Sequence, residues 1–244
     1  MTILVIGASG ATGQLVVKQL ISNGEHVLAM VRNKSALLAM LGEQYIKHSL
    51  LTIIEEQVYA LSQQKLLRYI ENCDAVISCL GHNLTLKGIY GKPRNLVTKV
   101  IKNIADAILA VQTQSERKIK IVLMGTTGFQ NKADNERVSF RHTAVVSLLR
   151  LLLPPHVDNE QAALYLLKQK KARPTLDWTI VRPDNLVNHE ETSKFDTYKA
   201  PTRCAIFNAG QTSRINVASF MMRLVTEPRL WRTWRQQMPV IYNA

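Results

Sequence analysis

Apolar positions along this chain follow two rhythms. Short, nearly unbroken runs such as Ile3 to Ile6 and Val27 to Val31 alternate with longer segments in which apolar residues return every three or four positions. The unbroken runs predict strands covered on both faces, as in a parallel sheet, and the 3.6-residue return predicts helices with one buried stripe. In chain order the pattern gives a strand at Ile3 to Ile6, a helix from Gln14 to Asn23, a strand from Glu25 to Arg32 and a short helix from Ser35 to Leu41. A strand from Leu50 to Glu55, a helix from Ser62 to Glu71 and a strand from Asp74 to Leu80 follow. Leu96 to Gln112 carries Val97, Val100, Ile101, Ile104, Ile108 and Val111 at helical spacing and leads to a strand at Ile119 to Met124. A long helix from Asn159 to Lys171 precedes a strand from Trp178 to Arg182 that Pro183 ends. Val217, Phe220, Met221, Leu224 and Val225 make the buried face of a last helix, stopped by Pro228. This alternation predicts an α/β fold: a doubly wound, mostly parallel sheet with helices on both faces.

Two stretches break the rhythm. From Pro183 to about Ile215 the chain is polar and irregular, with Tyr198, Pro201 and Phe207 embedded in it. In open α/β sheets such an insertion commonly covers the substrate side, so residues 1–244 are expected to form a single domain with a substrate-side insertion at 184–215. The longest apolar stretch, Thr143 to Val157, is interrupted by Ser147, Arg150, Pro154, Pro155 and His156 and falls short of a membrane span. It is expected to be a core helix ending at the two prolines, with a pocket wall or partner surface as the alternative.

The first strand runs into a glycine-rich turn, Gly7-Ala8-Ser9-Gly10-Ala11-Thr12-Gly13, and then into a helix with Leu15, Val16, Gln19 and Leu20 on one face. Glycine at 7 and 10 permits a tight turn and close approach of the backbone to a pyrophosphate, and Gly13 allows close packing of helix on strand. Free N–H groups at the helix start would face the phosphates, aided by the helix dipole. Strand, glycine turn and helix in this order predict a Rossmann-like NAD(P)-binding domain. An acidic residue ending the second strand would accept from the ribose 2′-hydroxyl of NAD, but this chain has Arg32, with Lys34 close by. A guanidinium can fork onto a 2′-phosphate, which favours NADP(H) over NAD(H); Asn33 could add a hydrogen bond. Thr126 and Thr127 follow the fifth strand, where side chains face the crevice outside the strands' carboxyl ends, and are the candidate catalytic hydroxyls.

Composition narrows the classes. With 244 residues, 46% of them apolar, the chain can bury a core without staples. Its 31 Lys and Arg against 18 Asp and Glu give a net charge of +13, which is spread along the chain. Lys168, Lys170, Lys171 and Arg173, and Arg229, Arg232 and Arg235 with Trp231 and Trp234, could attract polyanions or a membrane surface. Solvated helix faces are the preferred reading, and nucleic-acid binding is disfavoured. Cys73, Cys79 and Cys204 form no C-x-x-C spacing and give no grounds for a metal site. Together with a first strand that starts within three residues of Met1, leaving no room for a leader, they point to a cytoplasmic protein.

The opening GASGATGQLVVKQL, the MVRN ending the second strand, DAVISCLG, IVLMGTTG and LDWTIVRPDNL resemble the atypical short-chain dehydrogenase/reductases. Within these the sequence is most similar to the NAD(P)H-binding, NmrA-like group that includes the flavin reductase also called biliverdin reductase B. The resemblance implies that Gly7, Ala8, Ser9, Gly10, Ala11, Thr12 and Gly13 hold the pyrophosphate and that Arg32 meets the 2′-phosphate. It also implies adenine contact near Gln57 and Val58, where many relatives carry aspartate. Cys79, Leu80 and Gly81 would pass beneath the nicotinamide ribose, and Pro183, Asp184 and Asn185 would form the turn near the carboxamide. Thr126 and Thr127 match the position of the family's catalytic serine.

One departure shapes the expected chemistry. Most active short-chain reductases use a tyrosine followed four residues later by lysine, and this sequence contains no Y-x-x-x-K: Tyr165 is followed by Lys168 and Gln169. Tyr165 is read as a packing residue. Carbonyl reduction needs a positioned acid, whereas a conjugated acceptor needs chiefly proximity to the hydride and can take its proton from solvent. The leading expectation is an NADPH-dependent reductase acting on a small-molecule flavin, quinone or tetrapyrrole-like acceptor. The alternative is a non-catalytic NADP(H) sensor; an epimerase or dehydratase is disfavoured. His82 and His142 are further possible acids, although a loop histidine is more often merely exposed.

Overall fold

The computed structural model describes residues 1–82, 85, 90–129, 131, 136, 145–147, 150 and 152–244. In chain order the elements are β1 (Thr2–Ile6), α1 (Gly13–Ser22), β2 (His26–Val31), α2 (Lys34–Leu41), β3 (Leu51–Glu55), α3 (Gln63–Ile70), β4 (Ala75–Ser78), α4 (Leu96–Gln114) and β5 (Lys120–Met124). Then come α5 (Pro154–Ala172), β6 (Asp177–Pro183), β7 (Asn185–Val187), β8 (Phe195–Tyr198), β9 (Gln211–Ser213), α6 (Arg214–Thr226), α7 (Pro228–Trp234) and β10 (Val240–Asn243). Eight strands form one sheet in the order β3-β2-β1-β4-β5-β6-β10-β8. All neighbours are parallel except β8, which runs antiparallel to β10. The fold is therefore Rossmann-like and doubly wound.

Strand pleating assigns each apolar residue to a face. Ile3 and Val5, with Val27, Ala29 and Val31, point to one side and pack against Val16, Val17 and Leu20 of α1, Leu37 and Leu41 of α2, Phe220 and Leu224 of α6, and Trp231 of α7. Leu4 and Ile6, with Val76, Ile121, Trp178 and Ile180, point to the other side, against Leu66 of α3, Ile104 and Ile108 of α4 and Leu166 of α5. Continuous apolar strands are the consequence of this two-sided cover. Chain order reverses at β1: β2 and β3 lie to one side of it, β4 to β6 to the other. A crevice opens at such a switch point, outside the strands' carboxyl ends.

Four differences from the sequence reading have physical causes. Pro154 and Pro155 follow a helical stretch, as expected (145–147, 150 and 152 are helical and Leu153 is not), but they also begin α5, five residues before the expected start: proline at the first helical positions forfeits an N–H that would have no intrahelical partner. Of the apolar stretch before them, residues 143, 144, 148, 149 and 151 lie outside the described residues. Pro228 likewise stops α6 and starts α7. Trp231 and Trp234, each 6% exposed, are core residues, so the basic run around them offers no aromatic platform to a nucleic acid. Finally, the polar segment after Pro183 contains β7, β8 and β9, three and four residues long, too short for an apolar rhythm to announce. Among the described residues no helix is long and apolar enough to cross a membrane, and none of the cysteines is in a disulfide.

Candidate functional site

The turn after β1 is built from backbone. Gly7 has φ +77°, and a Cβ there would stand 2.7 Å from the carbonyl carbon and oxygen of Cys79. The Gly10 N–H donates to the Gly7 carbonyl (2.9 Å), and the Gly10 carbonyl accepts from the Gln14 N–H (3.0 Å). A Cβ on Gly13 would run into the Gly7 carbonyl oxygen, so α1 starts pressed against the turn. Thr12, the N-cap, makes no side-chain cap. Among the described residues no acceptor takes the N–H groups of Ala11, Thr12 and Gly13. Bare amides at the positive end of a helix dipole, beside a turn kept clear of side chains, fit a diphosphate.

A cleft of about 600 Å³ runs past this turn. Gly7, Ser9 and Gly10 line its middle, Arg32, Gln57 and Val58 one end, and Cys79, Leu80, Gly81 and His82 another part of the wall. The structure thus brings these ten sequence-nominated residues onto one concave surface. Ala8, Ala11, Thr12 and Gly13 belong to the turn without lining the cleft; Ala8 and Thr12 are buried behind it. Arg32 is exposed and has no ion-pair partner among the described residues. Its neighbours are committed: the Asn33 side chain caps α2 by accepting from the Ala36 N–H (2.9 Å), Glu55 accepts from the Lys34 N–H (2.9 Å), and Glu56 is paired with Lys65. Burial pushes the Cys79 thiol up to about 12, so it stays protonated at neutral pH and is no nucleophile.

His82 is where sequence reasoning missed a partner. Its side chain is 5% exposed, and its Nε2 lies 2.8 Å from Oδ2 of Asp158, which is fully buried near the start of α5. Asp158 also receives the first amides of α4: the Val97 N–H donates to Oδ2 (2.8 Å) and the Thr98 N–H to Oδ1 (3.0 Å), while the Thr98 hydroxyl donates to the Asp158 carbonyl (2.9 Å). One carboxylate 76 residues away thus holds the histidine and caps a helix. No local spacing signals such a pair.

Thr126, Thr127, Pro183 and Asn185 do not line the cleft. The Thr127 hydroxyl donates to Asp184 Oδ1 (3.1 Å), and Asp184 Oδ2 accepts from the Gly210 N–H (2.8 Å); all lie in buried surroundings. The Thr126 hydroxyl accepts from the Gly128 N–H (3.1 Å). The Thr127 N–H donates to the Pro183 carbonyl and the Asn185 N–H to the Gly210 carbonyl, each at 3.1 Å. Behind them Arg182, fully buried on β6, donates all five N–H groups: to the Met238, Phe129 and Lys199 carbonyls and, in a fork of 2.6 and 3.0 Å, to Glu136. Tyr165 packs against the core face formed with α4. Burial pushes its phenol up and Asp106 adds to the rise, the opposite of an activated acid. His142 lies outside the described residues.

A family model described as NAD(P)H-binding matches residues 7–228. Comparison with curated proteins gives no match. Among solved structures, the chain is similar to an anaerobillin reductase from Escherichia coli O157:H7, at 16% identity and TM-score 0.66 over 100% of this chain and 97% of that one. A proposed NADH-flavin reductase from Streptococcus pneumoniae TIGR4 is matched at 16% identity and TM-score 0.68 over 100% of both chains. A short-chain dehydrogenase/reductase from Veillonella parvula DSM 2008, in complex with NADP, is matched at 16% identity and TM-score 0.68 over 99% of this chain and 94% of that one. At these identities the likeness establishes a shared fold.

Proposed function

Because this chain belongs to the NAD(P)H-binding family, we propose that it is an NADPH-dependent reductase that passes a hydride to a conjugated or aromatic small molecule of flavin, quinone or tetrapyrrole type. The observation that carries the reading is the glycine-walled cleft, with an uncommitted guanidinium at Arg32. In this reading the bare amides of the turn hold the diphosphate, Arg32 pairs with the 2′-phosphate, Gln57 and Val58 flank the adenine, and Cys79 to Gly81 underlie the nicotinamide ribose. Bound there, the dihydronicotinamide supplies a hydride. The protein's part is proximity and exclusion of water. The missing tyrosine-lysine pair and the raised Tyr165 phenol weigh against carbonyl reduction, and the reductase names of the structural neighbours agree with the acceptor class. Residues 184–215 are read as the cover on the substrate side, with Thr126 and Thr127 behind it supporting that turn, and the cytosol as the setting.

The test is to incubate the protein with NADPH and a panel of flavins, quinones and tetrapyrroles and follow nicotinamide absorbance. Oxidation well above the rate without protein is expected for at least one acceptor. Tight NADPH binding without oxidation across the panel would favour the sensor reading.

A further inference from the structure

Of the described histidines paired with a carboxylate, His82 is the one that lines the cleft, with Asp158 buried behind it. On the reading above, adenosine lies at Arg32, after β2, and the dinucleotide crosses the turn after β1 toward the loop after β4, where His82 follows the residues beneath the nicotinamide ribose. Both oxygens of Asp158 accept backbone N–H groups from α4, which makes Oδ2 an acceptor toward the ring as well. Nε2 is therefore the donor to Asp158, and Nδ1 takes no hydrogen bond from the described residues. The other charged side chains lining the cleft are Arg32, Glu56 and Lys92.

We propose that His82 is the proton donor to the acceptor and that Asp158 is its positioning residue, a role that rests on the reductase reading above. The acceptor that has taken a hydride, two electrons and one proton's mass, carries one additional negative charge. The Nδ1–H bond of the His82 imidazolium breaks, its proton goes to a heteroatom of that acceptor, and the electron pair stays on the now neutral ring. Water returns the proton to Nδ1. Asp158 keeps the ring turned with Nδ1 toward the cleft and compensates the positive charge while the ring is loaded.

Two measurements test this. In 15N-histidine-labelled protein without acceptor, His82 is expected to show the Nε2–H tautomer, with an Nδ1 resonance that moves when NADP+ is added. An Nδ1–H tautomer, or an Nδ1 signal indifferent to NADP+, would overturn the assignment whether or not an acceptor is known. With an acceptor, His82→Gln keeps a donor to Asp158 and is expected to lower kcat about 100-fold, with the KM for NADPH little changed. Added imidazole is expected to restore part of the rate of His82→Gly. A His82→Gln rate within about twofold of the parent would make solvent the donor and overturn this proposal alone. No turnover with any acceptor would overturn the reductase reading, and this proposal with it.

Discussion

The amino-terminal and carboxyl-terminal sides of the crevice are built on different principles. On the β1 side the wall is backbone: a left-handed Gly7, a Gly10 amide donating to Gly7, and a helix start at Gly13 that admits no side chain between itself and the turn. Its specificity is steric, set within seven consecutive residues. Beyond β5, outside the lining of the cleft, the structure is held by side chains from distant segments: Thr127 to Asp184 to Gly210, and Arg182 joining Glu136, Phe129, Lys199 and Met238. A backbone cradle suits a ligand whose chemistry never changes, the diphosphate.

The sharpest way to break this comparison is at Arg182. Arg182→Leu removes the guanidinium that pairs with the buried Glu136 carboxylate and is expected to cost about 3–5 kcal/mol, read as a lowered urea midpoint, with the β1 cradle still able to bind NADPH in whatever fraction stays folded. A cost below about 1 kcal/mol would show that the network is not what holds this side together. Next is Gly13→Ala, whose new methyl meets the Gly7 carbonyl: about 3 kcal/mol of stability and most of the NADPH affinity are expected to go together. Gly24→Ala is the control. Gly24 also has positive φ, at +81°, but open space around it, so only the backbone cost of about 1 kcal/mol is expected and cofactor affinity is retained. Smaller again is Thr127→Val, which removes one buried donor to Asp184 for about 1–2 kcal/mol. A large fall in NADPH oxidation with unchanged melting temperature would instead return Thr127 to the reacting atoms.

The same contrast explains what could be read from the sequence. The cradle was legible because its cause is local: the strand, three glycines and a helical stripe lie within residues 3–20, and Arg32 follows from the strand's end. The parallel sheet was legible because burial on both faces leaves unbroken apolar runs at Ile3 to Ile6 and Val27 to Val31. The proline pair was half read because proline marks both a helix stop and a helix start, and here it serves as both: residues 150 and 152 before it are helical, and α5 starts on it. The His82–Asp158 pair and the Arg182 fork were invisible because their partners are 76 and 46 residues away. Burying such charges requires a tertiary neighbour that no periodicity encodes. Arg182 could have been suspected: a basic residue directly after the mostly apolar strand segment Trp178 to Val181 must find an acid.

The central claim is that the glycine turn and Arg32 form one NADPH site. Calorimetric titration of the parent and of Arg32→Ala with NADPH and with NADH tests it directly. The parent is expected to bind NADPH tightly and Arg32→Ala to weaken it at least about tenfold, with NADH affinity little altered, since one charge-assisted pair to a phosphate is worth roughly 1.5–3 kcal/mol. Equal weakening of both dinucleotides, or no binding of either by the folded parent, would contradict it.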